Sequence, residues 1–477
     1  MTRPGKTRPG KPRFGQTRFG RRKLIGYGVA ACGSSFFLKA CSPDLSALDK
    51  SLGGGATGNS ESSDAAAVAT ADTSEAEQSV DIKVGLLHSL SGPLAMSEAP
   101  LVDAERLAIE EINAAGGLLG KQLVPVVADG ASDWPTFAEK TEKLITENNV
   151  AVIFGGFTTA SRKAMLPVVM AKNRLLWYPG PYEGEECEQN IFYAGAIANQ
   201  QIEPALNWML GNRGKSFFLV SNNERTAHDI AKAVIKEKGG KVAGEAFVPL
   251  RKGTKADMMP VVDDIQKALP EGGIIFNALL GTQNQAFFKE LKSAGLSAFE
   301  YIVMSVRLSE PEIAQIGKSF LLGHYAAWPY FQTLETPENK AWVNAFQSRY
   351  GPDSVIGSPT ETAYTMVHLW AQAVKAAESV DTTAVRAATY GQTFAAPGGT
   401  VAVAPNHHVS QRARIGRVRG DGLFDIEWSS SGAITPIPWN PRIATNKNVT
   451  CDWSHPDKGK RYQPTLELKP VITPPNA

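Results

Sequence analysis

The sequence predicts an α/β protein made of two doubly wound parallel-sheet lobes with a ligand cleft between them. From residue 82 onward, short apolar runs alternate with amphipathic helical runs; the alternation is laid down in two successive series, and its loops are rich in hydroxyls, aromatics and acids. Repeated βα units demand a parallel sheet with helices on both faces. Two such series, joined near residues 193–199, imply two lobes around a gap.

The first series reads as strand 82–87, helix 101–114, strand 122–128, helix 137–148, strand 150–154, helix 160–172 and strand 175–178. Its first helix sets Leu101, Ala104, Ala108 and Ile112 on one face, the spacing needed to dock on a sheet, and Gly116-Gly117 ends it. The second series reads as helix 204–210, strand 216–221, helix 227–238, strand 242–248, helix 258–268, strand 273–279, helix 285–294 and strand 301–304. Helices 338–350 and 360–379 follow, then strands over 400–403 and 413–428, the latter a hairpin about Asp421-Gly422. The proline-rich end from residue 440 is expected to wrap the surface.

In an open parallel sheet, ligands bind where strands hand over to helices, because free backbone N–H groups and loop side chains converge there. Three such loops stand out: Asp129-Gly130-Ala131-Ser132-Asp133-Trp134-Pro135, residues 155–162, and Trp177-Tyr178-Pro179-Gly180-Pro181-Tyr182-Glu183-Gly184. Thr158 and Thr159 open a helix, where one hydroxyl can cap free N–H groups while the other meets a ligand. Tyr178 and Tyr182 offer rings to cover a flat solute, although Tyr178 also suits a core position, and Glu183 accepts from NH₂ groups. Ser89 and Ser91 either face the gap or shape the turn before Gly92-Pro93. Asp129 and Asp133 are expected to cap the helix near Trp134-Pro135, with Asp129 also able to take a ligand N–H. In the second lobe the corresponding loops hold Asn222, Asn223, Glu224 and Arg225, then residues 281–284, then Ser305, Val306 and Arg307.

The chain has 477 residues and 43% apolar content, ordinary for a globular protein of two or three domains. Its formal charge of +2 misleads, because ten of the 49 Lys and Arg, and none of the 47 acids, lie in residues 1–41. Without that segment the balance is negative, which removes the basic footprint of a nucleic-acid binder. Arg21-Arg22-Lys23 and the apolar stretch 24–38, too short to span a bilayer, read as an export signal by the twin-arginine or the general secretory route. Leu38-Lys39-Ala40-Cys41 resembles a bacterial lipobox with Cys41 as the lipidated residue; a plain signal peptide cut nearby is the alternative. Residues 42–80, rich in Ser, Ala, Gly, Asp and Glu, read as a disordered tether. Cys187 and Cys451 remain, and an oxidising compartment permits them to pair or to stand as separate thiols.

Enzymatic signatures are missing: there is no Gly-x-Ser-x-Gly elbow, His-Glu-x-x-His helix, Cys-x-x-Cys pair or Walker loop. Gly53-Gly54-Gly55-Ala56-Thr57-Gly58 matches a dinucleotide fingerprint but lacks the flanking strand and helix. His407-His408 reads as a loop pair rather than a metal site, since no third ligand is evident. No cofactor and no metal are expected.

The runs Gly-Leu-Leu-His-Ser-Leu-Ser-Gly (85–92), Asp-Gly-Ala-Ser-Asp-Trp-Pro-Thr-Phe-Ala-Glu-Lys (129–140), Thr-Ala-Ser-Arg-Lys (159–163) and Asn-Gln-Gln-Ile-Glu-Pro (199–204) resemble the urea and short-chain amide receptors among the solute-binding proteins of ABC importers. The similarity covers about residues 82–453. It implies a type I periplasmic binding fold, a periplasmic location, a small-molecule solute, permease subunits as partners, and contact with a membrane only through a lipid anchor. It also returns the late helices to the first lobe. The expected division is therefore 82–199 with about 325–380 as lobe 1, 200–324 with about 381–430 as lobe 2, and 431–477 as a surface tail.

The resemblance points to Ser89, Ser91, Phe157, Thr158, Thr159, Tyr178, Tyr182, Glu183, Asn223 and Arg307 as ligand contacts. This chain departs from that pattern by lacking an aromatic-containing insert near Asn223, by placing Phe157 where the family has Trp, and by placing Arg307 where it has a small residue. Urea has four heavy atoms, so at about −1.5 kcal/mol per atom its binding reaches only about −6 kcal/mol, or tens of micromolar, and nearly every contact must be good. The departures leave open a branched-chain amino acid or other small carboxylate, read through Thr158, Thr159 and Arg307. A pairing of Arg307 with Glu310 outside the pocket, a sensing role toward a signalling partner, and an amidase also stay open.

Overall fold

The structure, a computed structural model, describes residues 81–222, 225–250 and 253–463. The expected export signal, Cys41, the tether and Asn223 lie outside the described residues. Among those described, no helix is long and apolar enough to cross a membrane.

Lobe 1 is built on β1 (Ile82–His88), β2 (Leu123–Asp129), β3 (Val152–Gly155), β4 (Leu175–Tyr178) and β5 (Ile191–Tyr193), which form one parallel sheet in the order β2-β1-β3-β4-β5. Helices α1 (Ala95–Ala114), α2 (Trp134–Thr146) and α3 (Thr159–Ala171) connect its strands. The strands read as near-continuous apolar runs because both sheet faces are covered, one by α1 and later helices, the other by α2 and α3.

Lobe 2 repeats the winding. After α4 (Ile202–Asn212) come β6 (Ser216–Ser221), α5 (Arg225–Glu237), β7 (Lys241–Phe247), α6 (Lys255–Ala268), β8 (Gly273–Ala278), α7 (Thr282–Ser293), β9 (Tyr301–Ser305), α8 (Glu310–Ile316) and β10 (Tyr325–Trp328). The parallel part of its sheet runs β7-β6-β8-β9-β10, the same second-first-third-fourth-fifth order as lobe 1. The chain then returns to lobe 1 as α9 (Pro337–Tyr350), α10 (Ser358–Ala377) and α11 (Thr382–Thr389), where Trp370 of α10 meets Phe154 of β3 edge-on at 5.8 Å. Such aromatic pairs add about 1 kcal/mol beyond the area they bury.

The division differs from the expected one at two points: residues 382–410, α11 included, belong to lobe 1, and β10 belongs to lobe 2. β11 (Thr393–Ala396), β12 (Gly399–Val403) and β13 (Val409–Ser410) form a small antiparallel sheet whose Val401, Val403 and Val409 join the lobe 1 core, and His408 bridges to Tyr193 of β5. β10, in contrast, belongs to the lobe 2 sheet, where β14 (Arg414–Val418) and β15 (Phe424–Ser429) extend it antiparallel. Non-local pairing of this kind leaves no local signature in the sequence. Between β1 and β15 the chain crosses between lobes three times, after β5, β10 and β13.

Helix α1 begins six residues before the expected start and carries Pro100 within it. A proline removes one helical donor, leaving the carbonyl four residues back, Met96, without its partner. Gln315 Nε2 of α8 donates to that carbonyl at 3.3 Å. Nearby, Thr282 N donates to Pro93 O at 3.1 Å, and a Cβ on Gly281 (φ +54°) would sit 2.2 Å from the same oxygen. These contacts join the lobes beside the cleft.

The tail wraps the surface at least to residue 463. Cys187 and Cys451 form a disulfide. Glu185 N donates to Pro438 O at 2.8 Å, its carboxylate accepts from Asn446 Nδ2 at 2.6 and 2.7 Å, and a Cβ on Gly184 (φ +93°) would approach Pro438 O to 2.6 Å. Arg442 reaches Glu203 of α4 at 2.5 Å and Glu237 of α5 at 3.0 Å. One strap thus holds the Glu183 loop of lobe 1 and the outer helices of lobe 2.

Candidate functional site

A cavity of about 450 Å³ lies between the lobes. Lobe 1 contributes Trp134, Thr158, Thr159, Lys163 and Glu183 from the exits of β2, β3 and β4; lobe 2 contributes Asn222, Arg225, Leu250 and Leu280 from the exits of β6, β7 and β8. Both sheets change winding direction between their first and third strands, and the exits of β3, β6 and β8 all reach this cavity. That is where an open α/β sheet leaves a crevice.

Thr158 caps α3: its Oγ1 accepts from Ser161 N at 3.0 Å, and its N–H donates to Ser161 Oγ at 3.1 Å. This reciprocal box satisfies the third helical amide and leaves the first-turn amides of Thr159 and Ala160 without intrahelical acceptors, a positive helix end facing the cavity. Thr159 Oγ1 donates to the Glu183 carboxylate at 3.0 and 3.2 Å. Lys163 and Arg225 are exposed, and the Arg225 guanidinium lies 5.0 Å over the Phe247 ring. The lining thus carries two cations and a helix N-terminus against one carboxylate.

Asn222 braces the lobe 2 wall. Its Nδ2 donates to Val248 O at 2.9 Å and to Gln283 Oε1, its Oδ1 accepts from Leu280 N at 2.9 Å, and Gln283 Nε2 donates to Pro249 O at 2.7 Å. This network fixes the two loops that carry Leu250 and Leu280.

Of the sequence-predicted residues, Thr158, Thr159 and Glu183 come together on the cavity. Phe157, Tyr178 and Tyr182 are buried in the lobe 1 core behind it; Tyr178 Oη donates to Phe157 O at 2.7 Å. The guanidinium of Arg162 lies 4.7 and 4.2 Å from the centroids of the Tyr178 and Tyr182 rings while pairing with Glu186 at 2.7 Å. Burial raises the Tyr182 hydroxyl well above its ordinary range, so it stays protonated. Ser89 is buried, donating its N–H to Glu98 at 2.7 Å and accepting from Ser132 N at 3.0 Å, whereas exposed Ser91 bonds Asp129 at 2.6 Å. Arg307 is buried in lobe 2, donating to Gln201 Oε1 at 3.3 Å and Val306 O at 3.1 Å, and does not line this cavity. Asp133 caps α2 through Thr136 N at 3.2 Å, while Asp129 holds the Leu90–Ser91 turn.

His407 and His408 lie in the loop between β12 and β13, as the sequence reading has it, and both are buried. His408 stacks on Tyr193 at 4.3 Å and His407 on Phe192 at 4.3 Å. Burial pushes both down to about 3, holding them neutral. Among the described residues no group of three or more His, Cys, Asp or Glu is placed to hold a metal ion. The sequence pattern singled out neither Leu250 nor Leu280, nor Trp134 or Lys163 as contacts. The signal available was position just beyond a strand exit for Trp134, Leu250 and Leu280, and one helical turn past Thr159 for Lys163.

The periplasmic binding protein domain model matches residues 82–445. A protein from Pseudomonas aeruginosa named as a leucine-, isoleucine-, valine-, threonine- and alanine-binding protein is 26% identical over 332 residues, 67% of this chain and 85% of that one. A protein from Geobacillus stearothermophilus named limonene hydroxylase is 37% identical over 131 residues, 28% of this chain; the match spans about a quarter of that relative, 23% of its length. Among solved structures, the solute-binding protein of an ABC transporter from Rhodopseudomonas palustris BisB5, in complex with 3,4-dihydroxybenzoic acid, superposes with a TM-score of 0.68 at 21% identity, over 74% of this chain and 98% of that one. With the doubled 2-1-3-4-5 winding and the cavity between its two sheets, the chain belongs to the periplasmic binding protein domain family, as a type I solute-binding protein like the leucine/isoleucine/valine-binding receptors of ABC transporters.

Proposed function

We propose that this protein is an exported receptor that closes its lobes on a small carboxylate and hands it to the permease of an ABC importer. One observation carries the ligand class: the N-terminal turn of α3 faces the cavity with Lys163 and Arg225, a positive lining that a carboxylate neutralises. Glu183, held by Thr159, is placed to accept from an amino or amide N–H on the same solute. Closure excludes water and strengthens each of these bonds, which shifts the population toward the closed form that a permease can recognise. The relatives' names support binding: one names five amino acids, and the R. palustris receptor holds an aromatic carboxylate. Capture without turnover is part of the proposal, as are export through residues 1–41 and a lipid anchor at Cys41, which intact-mass measurement of the mature protein would test.

Urea or a short-chain amide is the second reading. It is supported by the runs 129–140 and 159–163, both of which contribute to this cavity, and by the Glu183 carboxylate as an acceptor for NH₂ groups. A neutral solute of four heavy atoms gains little from two cations and leaves most of about 450 Å³ wet. Calorimetric titration of the mature protein with leucine, benzoate, urea, acetamide and formamide separates the two. Carboxylate binding that weakens about tenfold in Lys163→Met supports the first. A response to urea or amides alone rejects it in favour of the second, and silence toward all five rejects both.

A further inference from the structure

Trp134 and Leu250 also line a second cavity of about 560 Å³, bounded by Pro93, Ala131, Ser132, Asp133 and Pro249. It too lies between the lobes, with the loops after β1 and β2 on one side and the loop after β7 on the other. An indole and an isobutyl group, each half-buried, stand between the two spaces.

The spaces differ in chemistry. The first holds the helix N-terminus, Lys163, Arg225 and Glu183. In the second, five of the seven lining residues, Pro93, Pro249, Leu250, Trp134 and Ala131, have carbon side chains or an indole, Asp133 is the one charged side chain, and the two polar side chains, Ser132 and Asp133, bond within the protein. Ser132 Oγ donates to Ser91 O at 2.9 Å and accepts from Leu94 N at 3.1 Å, and the Asp133 carboxylate caps α2. The Asp133 carboxylate, with no cation in the lining beside it, disfavours a second anionic group there. Each space alone is within the roughly 300–1,000 Å³ that houses a drug-sized ligand.

We propose that the solute is a two-part molecule: a carboxylate head at the N-terminus of α3 and an extended alkyl or aryl-alkyl arm passing between Trp134 and Leu250 into the second cavity. This rests on the carboxylate reading of the first cavity and adds the length and polarity of the part beyond the head. Trp134 offers the arm a flat apolar surface at low conformational cost. Leu250 covers it from the other lobe, so closure grips head and arm together.

The test is calorimetric titration of the mature protein with benzoate, which supplies a head and a ring, and 4-phenylbutyrate, which sets the ring three methylenes farther away. The longer acid is expected to bind at least tenfold tighter, the order that burying a few methylenes gives. Pro249→Trp narrows the second cavity from an exposed position while keeping the carbonyl that Gln283 bonds. It should erase the difference and leave benzoate unchanged, and Trp134→Ala should shrink the same ratio should Pro249→Trp not fold. Equal affinities for the two acids, or a ratio that survives Pro249→Trp in a folded protein, overturn the arm alone. Binding of neither acid overturns the arm, and silence toward leucine as well overturns the carboxylate reading beneath it.

Discussion

The disulfide between Cys187 and Cys451 closes a loop with a sequence separation of 264 residues, and breaking it should measurably loosen the protein. In the chain-entropy account a loop that long removes about 19 cal/mol/K from the unfolded ensemble, or about 5.5 kcal/mol at 25 °C, whereas losses for native disulfides run at about 2–5 kcal/mol. A folded body of about 380 residues unfolds with an entropy near 0.8 kcal/mol/K at its midpoint, so the expected fall in Tm is about 3–6 °C. The tail's other anchors, Arg442 on Glu203 and Glu237 and Asn446 on Glu185, survive reduction and set the lower end of that range. Thermal scans of the wild type with and without reductant, beside the double variant Cys187→Ser/Cys451→Ser, read the effect. The reduced wild type should melt with the double variant. If thiol titration shows both sulfurs free and Tm moves by less than about 1 °C, the strap is not a stabilising element and the reasoning fails.

Gly281→Ala would push a Cβ to 2.2 Å from Pro93 O and disturb the Thr282 N–H bond to that oxygen. The backbone conformation there (φ +54°, ψ −135°) is open to glycine and costs alanine about 1–3 kcal/mol, which should appear in Tm. The clash and the weakened inter-lobe bond, about 2–4 kcal/mol together, should appear as a roughly 30- to 1,000-fold loss of affinity for whichever solute binds; an unchanged Kd would show that this contact plays no part in closure. Glu310 is fully buried and its Oε2 has no partner among the described residues, and burial pushes its carboxyl up to about 8. Because the folded value lies above the unfolded one, its contribution is complete below about pH 4.5 and is lost as pH rises through 8. Stability should therefore drop by about 3 kcal/mol between pH 5.5 and 8 on its account, with Glu98 and Glu361, raised to about 7, acting in the same sense. Denaturant titrations of Glu310→Gln should show a shallower slope over that range, and an unaltered slope would mean the acid is ionised in the fold.

The strands were legible because burial on both faces makes them continuous apolar runs, as in Val-Ile-Phe-Gly of β3 or Leu-Leu-Trp-Tyr of β4. The same burial blurred the site. Tyr178 and Tyr182 look like ligand-covering rings in a loop, yet the hydroxyl of one finds Phe157 O and that of the other finds His408 Nε2 at 2.5 Å and Glu186 O at 3.2 Å. Glu186 is a near neighbour in the chain, but Phe157 belongs to the preceding strand exit and His408 lies more than two hundred residues on. Likewise Leu250 and Leu280 read as the ends of apolar runs, and only the bracing of their loops by Asn222 and Gln283 turns them toward the cavity. What a sequence shows directly is local periodicity; which strand exit faces which is decided by sheet order.

Pro100 shows how the two kinds of information meet. The apolar spacing alone places the helix start after it, at Leu101. In the fold, the carbonyl it leaves free at Met96 becomes an acceptor for Gln315 of the other lobe, two residues beyond Leu94, whose N–H Ser132 Oγ already takes. The turn from Pro93 to Met96 is therefore fixed on one side by lobe 1 and touched on the other by Thr282 and Gln315 of lobe 2. Pro93 also lines the second cavity. A solute arm reaching that wall would press on the segment through which the lobes touch, so the length of the solute and the fit of the closed form are set at one place.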